Sequence, residues 1–347
     1  MLQVVNTELW EMNLTIGYCQ YLLSSQINYT LTNFAEHKEG ISHDTINRYL
    51  CKEKITPKIV WENVQDKIVV SENGCILFDD SVMDKRYSNK IELVRRQYSG
   101  NEHGVVKGIG VVNCVYVNPD TEQFWVIDFR IYDPAGDGQS KLKHVEEMLN
   151  NVVFQKKLHF KTVIMDSWYA EKNIMLLIDR FHKYFYCPLK KNRLVDDSSG
   201  VEDYKNIEKL EWNEIELKEG KLIKIKKFPR DYKVKLFRVV VSTDKTEYVA
   251  TNNISQCSTD ATKDKCGICW KIEEFRRELK QITGVEKCES RKQRIQRNHI
   301  ACCMLVWINL KDRAYKCKTT IYNLKKRLLD NYLIKELKLP SIRIALA

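Results

Sequence analysis

Between residues 75 and 189 the apolar residues arrive in an order that restricts the fold sharply: three strands, a helix, a strand, a helix and a strand. Cys75-Ile-Leu-Phe is a short apolar run ending at Asp79-Asp80. Val111–Val117 and Phe124–Tyr132 are rich in β-branched and aromatic residues and read as strands. Asn118-Pro-Asp precedes the second of these, and Asp133-Pro-Ala-Gly-Asp-Gly follows it, both strong breakers. Lys143–Phe154 reads as a helix with Val145, Met148, Leu149 and Val152 on one face. Thr162-Val-Ile-Met is a fourth strand ending at Asp166, Ala170–Phe181 a second helix, and Tyr184–Leu189 a fifth strand. Strands joined by tight turns pair antiparallel, whereas strands joined through helices run parallel. The expected fold is therefore α/β, a mixed sheet flanked by helices. Asp80 and Asp166 fall at the C-terminal ends of two strands, the edge where open α/β sheets place their sites.

The flanking segments read differently. Residues 1–70 form a helical domain, with Tyr21, Leu22, Ile27, Leu31 and Phe34 at loose helical spacing and Ser42 as N-cap of a short helix from His43. Two short helices around Gly40 suit either a helix-turn-helix or an ordinary bundle. Residues 71–200 hold the first part of the core, and 201–252 a β-rich insertion. In the insertion Lys224 and Lys226 alternate with Ile223 and Ile225, which gives a strand with a basic outer face. Residues 253–310 return to the core through a helix from Trp270 to Gln281 and another from about Arg291 to Leu310, and 311–347 form a basic tail.

Charge follows the same division. The chain has 57 Lys and Arg against 46 Asp and Glu, a net +11. Residues 1–160 are net −4, while residues 161–347 are net +15, so the whole excess lies in the second half. Residues 221–240 alone carry eight basic groups and one acid. Such a surface suits a polyanion. A hydrophobic content of 44% excludes a disordered chain, and the longest apolar run, Ile300–Leu310, is too short to cross a membrane. No secretory leader is read at the N-terminus, so the twelve cysteines are expected as reduced thiols in a cytoplasm.

Two strand-end carboxylates suggest a metal site, since Mg²⁺ prefers a few oxygen ligands and keeps several waters. Glu273 is a third candidate. On its helix Ile272, Phe275, Leu279 and Ile282 face the core, while Glu273, Arg277 and Lys280 make a stripe beside that face. A carboxylate with cations one and two turns on suits a scissile phosphodiester. The alternative is that the aspartates are turn residues and the stripe a surface ion-pair row.

Five segments carry a resemblance: Leu77-Phe-Asp-Asp-Ser81, Arg95-Arg-Gln-Tyr-Ser-Gly100, Met165-Asp-Ser-Trp-Tyr169, Cys187-Pro-Leu-Lys-Lys-Asn-Arg193 and the Trp270–Gln281 helix. Through them nearly the whole chain resembles the DDE transposases of the IS4/IS701 type, from bacterial insertion sequences. The resemblance implies an RNase H-like core with a β-rich insertion between the second Asp and the Glu. It implies Asp80, as the residue immediately before Ser81, with Asp166 and Glu273 as a triad holding two Mg²⁺ or Mn²⁺ ions. The chemistry implied is cleavage of element ends and joining of their 3′-hydroxyls to target DNA, by a homodimer on double-stranded DNA in the bacterial cytoplasm. Phosphate contacts are expected from Lys190 and Arg193, which leave a strand end on the site edge. Others are expected from Arg277 and Lys280, from Arg291, Arg294 and Arg297 in one basic run, and from Lys224 and Lys226.

One departure stands out. The family pattern is Tyr-x2-Arg-x3-Glu-x6-Lys; Lys280 fits its Lys, but the Arg position is Cys269 and the Tyr position Cys266. A thiol cannot grip phosphate as a guanidinium does. A weakened or inactive copy that only binds DNA is one alternative, and a nuclease that cuts without joining is another. Cys266-Gly-Ile-Cys269 also admits a zinc reading with Cys257, Cys288 or His299. Gly108-Ile-Gly110 has no further glycines to make a nucleotide loop, and Trp168 and Tyr169 read equally as core aromatics or as stacking residues.

Overall fold

The computed structural model describes residues 14–341 except Asn89, Asn101, His103, Asp244 and Pro340. The expectations for the first thirteen and last six residues lie outside the described residues. Helices α1 (Leu14–Ser24), α2 (Leu31–Glu36), α3 (His43–Lys52) and α4 (Pro57–Val64) come first. Strands β1 (Cys75–Asp84), β2 (Arg95–Ser99), β3 (Gly104–Val117) and β4 (Phe124–Ile131) follow. Then come α5 (Pro134–Asp137), α6 (Lys141–Asn150), β5 (Thr162–Met165), α7 (Lys172–Arg180) and β6 (Tyr184–Leu189). The insertion holds β7 (Leu194–Asp196), β8 (Lys205–Asn206), α8 (Glu214–Glu219), β9 (Lys221–Ile225), β10 (Val234–Ser242) and β11 (Lys245–Thr251). Helices α9 (Thr259–Gly267), α10 (Trp270–Thr283), α11 (Gln293–Lys316), α12 (Ile321–Arg327) and α13 (Asp330–Lys338) complete the described chain.

Contacts divide the chain into two compact units that cut across the expected segments. One contains residues 68–81 and 110–274, the other residues 1–67, 82–109 and 275–347. In the first, the strand order is β4-β3-β1-β5-β6-β11-β10-β9-β7-β8. Strands β3 and β4 are antiparallel, while β1, β5 and β6 are parallel. The first five strands of this order give the RNase H-like arrangement expected. All four residues of β5 are buried, as a strand covered on both faces requires. Ser140 caps α6 by accepting from Lys143 N (3.2 Å), and the helix buries Val145, Met148 and Leu149.

Two sequence readings need correction here, and a third is settled as expected. Strand β1 does not end at Asp80 but continues to Asp84, because Ser81, Val82 and Met83 are buried and extend the run. Strand β2 was not anticipated; Arg95-Arg-Gln-Tyr-Ser has too few apolar residues to signal a strand, and it is held by its antiparallel register with residues 104–108. Gly108 and Gly110 lie within β3 and form no loop. A side chain at Gly108 would collide with the Met83 carbonyl and Val82, so close backbone approach explains that glycine.

The insertion extends the core sheet, since β11 pairs antiparallel with β6 and β10 with both β11 and β9. Strand β9 ends at Ile225, so Lys226 lies in the turn after it. Lys221 is buried, paired with Asp197 (3.1 Å) and Glu216 (3.2 Å), and adds nothing to a basic face.

In the other unit α11 is the central element, buried almost throughout from Ile295 to Ala314. It starts at Gln293, after Arg291, and runs past Leu310 to Lys316. Asn298 Nδ2 donates to the carbonyls of Leu50 and Glu53, which ties the N-terminal helices to it. Trp307 meets Phe275 edge to face at 4.8 Å. Ser42 caps α3 as expected, accepting from Thr45 N. The expected basic tail contains helices α12 and α13. No helix is long and apolar enough to cross a membrane among the described residues.

Candidate active site

The site is built at one edge of the parallel strands. Residues Cys75–Phe78 of β1 lie in register with Thr162–Met165 of β5, the last pair being Phe78 with Met165. Asp79, within β1, and Asp166, just after β5, therefore each come next after that pair. Asp166 is fixed by its own turn, where Oδ1 accepts from the backbone N–H groups of Trp168 (2.9 Å) and Tyr169 (3.2 Å). Glu273 lies exposed in the first turn of α10, at the end where the helix dipole favours a carboxylate.

Cys269 lies one turn before Glu273, within electrostatic reach of these groups. Its half-buried thiol has a pKa raised well above the ordinary value, by burial first and then by Cys266, Asp79, Asp166 and Glu273. The thiol is thus a neutral group that feels the negative charge of three carboxylates. Asp80, preferred over Asp79 on the sequence, is engaged by two side chains of the protein. Its Oδ2 pairs with Lys141 Nζ at 2.5 Å, and its Oδ1 accepts from Tyr169 OH at 2.9 Å. Alternation along a strand sends neighbouring side chains to opposite faces, and Asp79 is the residue of β1 that follows the last pair of its register with β5, as Asp166 does on β5. Sequence spacing alone held no signal for this choice.

Carboxylate oxygens are the donors that a hard divalent cation takes, so the chemistry of Asp79, Asp166 and Glu273 fits such an ion. Among the described residues no three His, Cys, Asp or Glu side chains already stand close enough to hold one. The zinc reading likewise finds no cluster of ligands among the described residues. Cys266 packs against an apolar cluster of Tyr186, Phe237, Val239 and Val249, and its thiol is pushed up to about 12 by burial and Glu247. All twelve cysteines are free.

The expected cations fall into separate groups. Lys190, Arg193 and Lys226 line one cleft of about 510 Å³ together with Trp168, Lys172, Lys227 and Phe228. The cleft begins at Ser167, one residue after Asp166. Trp168 is 47% exposed there, while Tyr169 is fully buried, so the two adjacent aromatics divide between rim and core. Lys172 and Lys227 were not singled out on the sequence. Lys224 is half-buried opposite Asp196 in the β7–β9 register, outside this cleft. In the other unit Lys280 Nζ is engaged by the Val82 carbonyl (3.0 Å) and by Glu286 (2.9 Å). Arg277 is exposed on α10, Arg291 is exposed just before α11, and Arg294 and Arg297 are half-buried in its first turns.

The model of the transposase DDE domain family matches residues 76–309. No curated protein matches the chain. Among solved structures, a piggyBac transposase synaptic complex with hairpin DNA is similar at 10% identity and TM-score 0.47, over 98% of this chain and 74% of that one. Endonuclease V of Ciona intestinalis, in complex with a 24mer DNA containing an inosine, aligns at 12% identity and TM-score 0.29, over 65% of this chain and 97% of that one.

Proposed function

The chain belongs to the transposase DDE domain family, and from that premise we propose that it cleaves the ends of an insertion sequence of the IS4/IS701 type and joins their 3′-hydroxyls to target DNA. The observation that supports the reading is the register of β1 with β5, which sets Asp79 and Asp166 just past the Phe78–Met165 pair, with Glu273 in the first turn of α10. These carboxylates are the proposed metal ligands, and Asp79 takes the place first given to Asp80. They would rotate toward one another to hold two Mg²⁺ or Mn²⁺ ions. When bound, such ions supply the positive charge that activates an attacking hydroxyl and stabilises the leaving oxygen.

The chain's own residues do the rest. Lys190, Arg193 and Lys226 grip phosphates in the cleft beside Asp166, and Trp168 offers an exposed aromatic face at its rim. Arg277, Arg291, Arg294 and Arg297 extend the electrostatic hold on duplex DNA, while α2 and α3 form a candidate reading head. Lys280 is paired with Glu286 and Lys224 lies outside the cleft, so both contribute less. Two element ends call for a homodimer in the DNA complex. The setting is a bacterial cytoplasm, with the protein held at the nucleoid through DNA.

Supercoiled DNA carrying the element ends, with Mg²⁺ or Mn²⁺, is nicked and joined by the wild type, and Asp166→Ala abolishes this. Equal activity of that variant sinks the assignment. Cys269 favours one second reading, a copy that binds ends but cuts them poorly. A neutral thiol stands where the resemblance places a guanidinium, and Cys269→Arg then restores cleavage.

A further inference from the structure

Lys141 is a conspicuous placement. It is the first residue of α6, where the helix dipole disfavours a cation, yet it is buried at 8% exposure. Its Nζ meets Asp80 Oδ2 at 2.5 Å and lies 5.4 Å from the Tyr132 ring centre and 6.0 Å from that of Trp168. The other Asp80 oxygen accepts from Tyr169 OH (2.9 Å), and the Tyr169 backbone N–H donates to Asp166 Oδ1 (3.2 Å). A continuous line of polar contacts thus runs from Lys141 through Asp80 and Tyr169 to Asp166. Tyr169 is anchored at both ends, with its ring fully buried.

We propose that Lys141, Asp80 and Tyr169 are positioning residues that hold the Asp166 turn so that its carboxylate is presented to the metal alongside Asp79. The inference rests on the metal-site reading above. Lys141 neutralises Asp80, which would otherwise add a further negative charge beside Asp79 and compete with it for the ion. Neutralised and bonded, Asp80 becomes an acceptor that fixes the Tyr169 hydroxyl, and Tyr169 fixes the turn. Such outer partners orient ligands and are worth about tenfold or more in metal affinity.

The test is Mn²⁺ binding to the full chain without DNA, read by electron paramagnetic resonance of the free ion, together with thermal unfolding. Lys141→Met weakens Mn²⁺ binding about tenfold, and Lys141→Arg, which keeps a cation for Asp80, restores most of it. Tyr169→Phe keeps the ring but removes the hydroxyl bond, and it weakens binding in the same direction even if Lys141→Met fails to fold. Mn²⁺ affinity within twofold of wild type in Tyr169→Phe and in any folded Lys141→Met overturns the proposal. Tighter binding in Lys141→Met also overturns it, because Lys141 would then compete with the ion. Asp79→Asn is the separate control: unchanged binding there refutes the metal-site reading itself, whatever the other variants do.

Discussion

His299 links a buried position to a measurable pH dependence. Its ring lies in the second turn of α11 with no exposure, Nδ1 2.7 Å from Tyr18 Oη and Nε2 3.2 Å from the Gly284 carbonyl oxygen. Burial drives its pKa from 6.5 down to about 4, the Lys85 charge pushes the same way, and the backbone at Gly284 and Val285 pulls against them. The folded chain holds the ring neutral down to about pH 4, while the unfolded chain protonates it near 6.5. The unfolded state therefore binds more protons between these values, and stability falls as the pH drops through that window. The gap corresponds to roughly 3 kcal/mol once both forms are protonated, and to about 2.5 kcal/mol at pH 4.5. His299→Asn keeps an amide for Tyr18 but cannot titrate. Urea unfolding of both proteins from pH 7 to 4.5 should show the wild type losing about 2 kcal/mol more than the variant. A direct NMR titration should place the imidazole near pH 4. Parallel stability curves, or a ring that titrates above pH 6, would refute the argument from burial.

Two further predictions follow from the same geometry. A Cβ at Gly74 would come within 2.6 Å of Tyr116 Oη and 3.0 Å of the Ser71 carbonyl. Gly74→Ala should then cost about 1–3 kcal/mol by overpacking, seen as a lower thermal midpoint; an unchanged midpoint contradicts the tight fit. If Lys190 and Arg193 each neutralise a phosphate, replacing both by Ala should flatten the plot of log affinity for DNA against log salt by about 1.8. Anisotropy of labelled duplex measures this, and an unchanged slope removes the cleft from the DNA path.

Much of the fold was legible because burial imposes periodicity. The buried stripe of Ile272, Phe275, Leu279 and Ile282 on α10 was readable from spacing and is at most 4% exposed. Strands β5 and β6 were bounded correctly because they are short apolar runs between clear breakers. Strand β2 was not, since its polar residues give no such signal. The extension of the sheet by the insertion depends on pairing Cys187 with Ala250, a contact that no local pattern announces. Asp166 and Glu273 were proposed from motif and helix wheel. The proposal of Asp79 rests on the register of β1 on β5, and the burial of Lys141 needed the Asp80 partner that makes it tolerable. On the sequence a lysine opening a helix looks solvated.

The central claim is that Asp79, Asp166 and Glu273 act together on DNA through bound divalent ions. Its most direct test follows a labelled 3′-end of element DNA into a supercoiled target with Mn²⁺. The account predicts joined product from the wild type and none from Asp79→Asn, Asp166→Asn or Glu273→Gln, each still binding the DNA. Joined product at wild-type level from any of the three, or an end that is cut by the wild type and never joined, would contradict it.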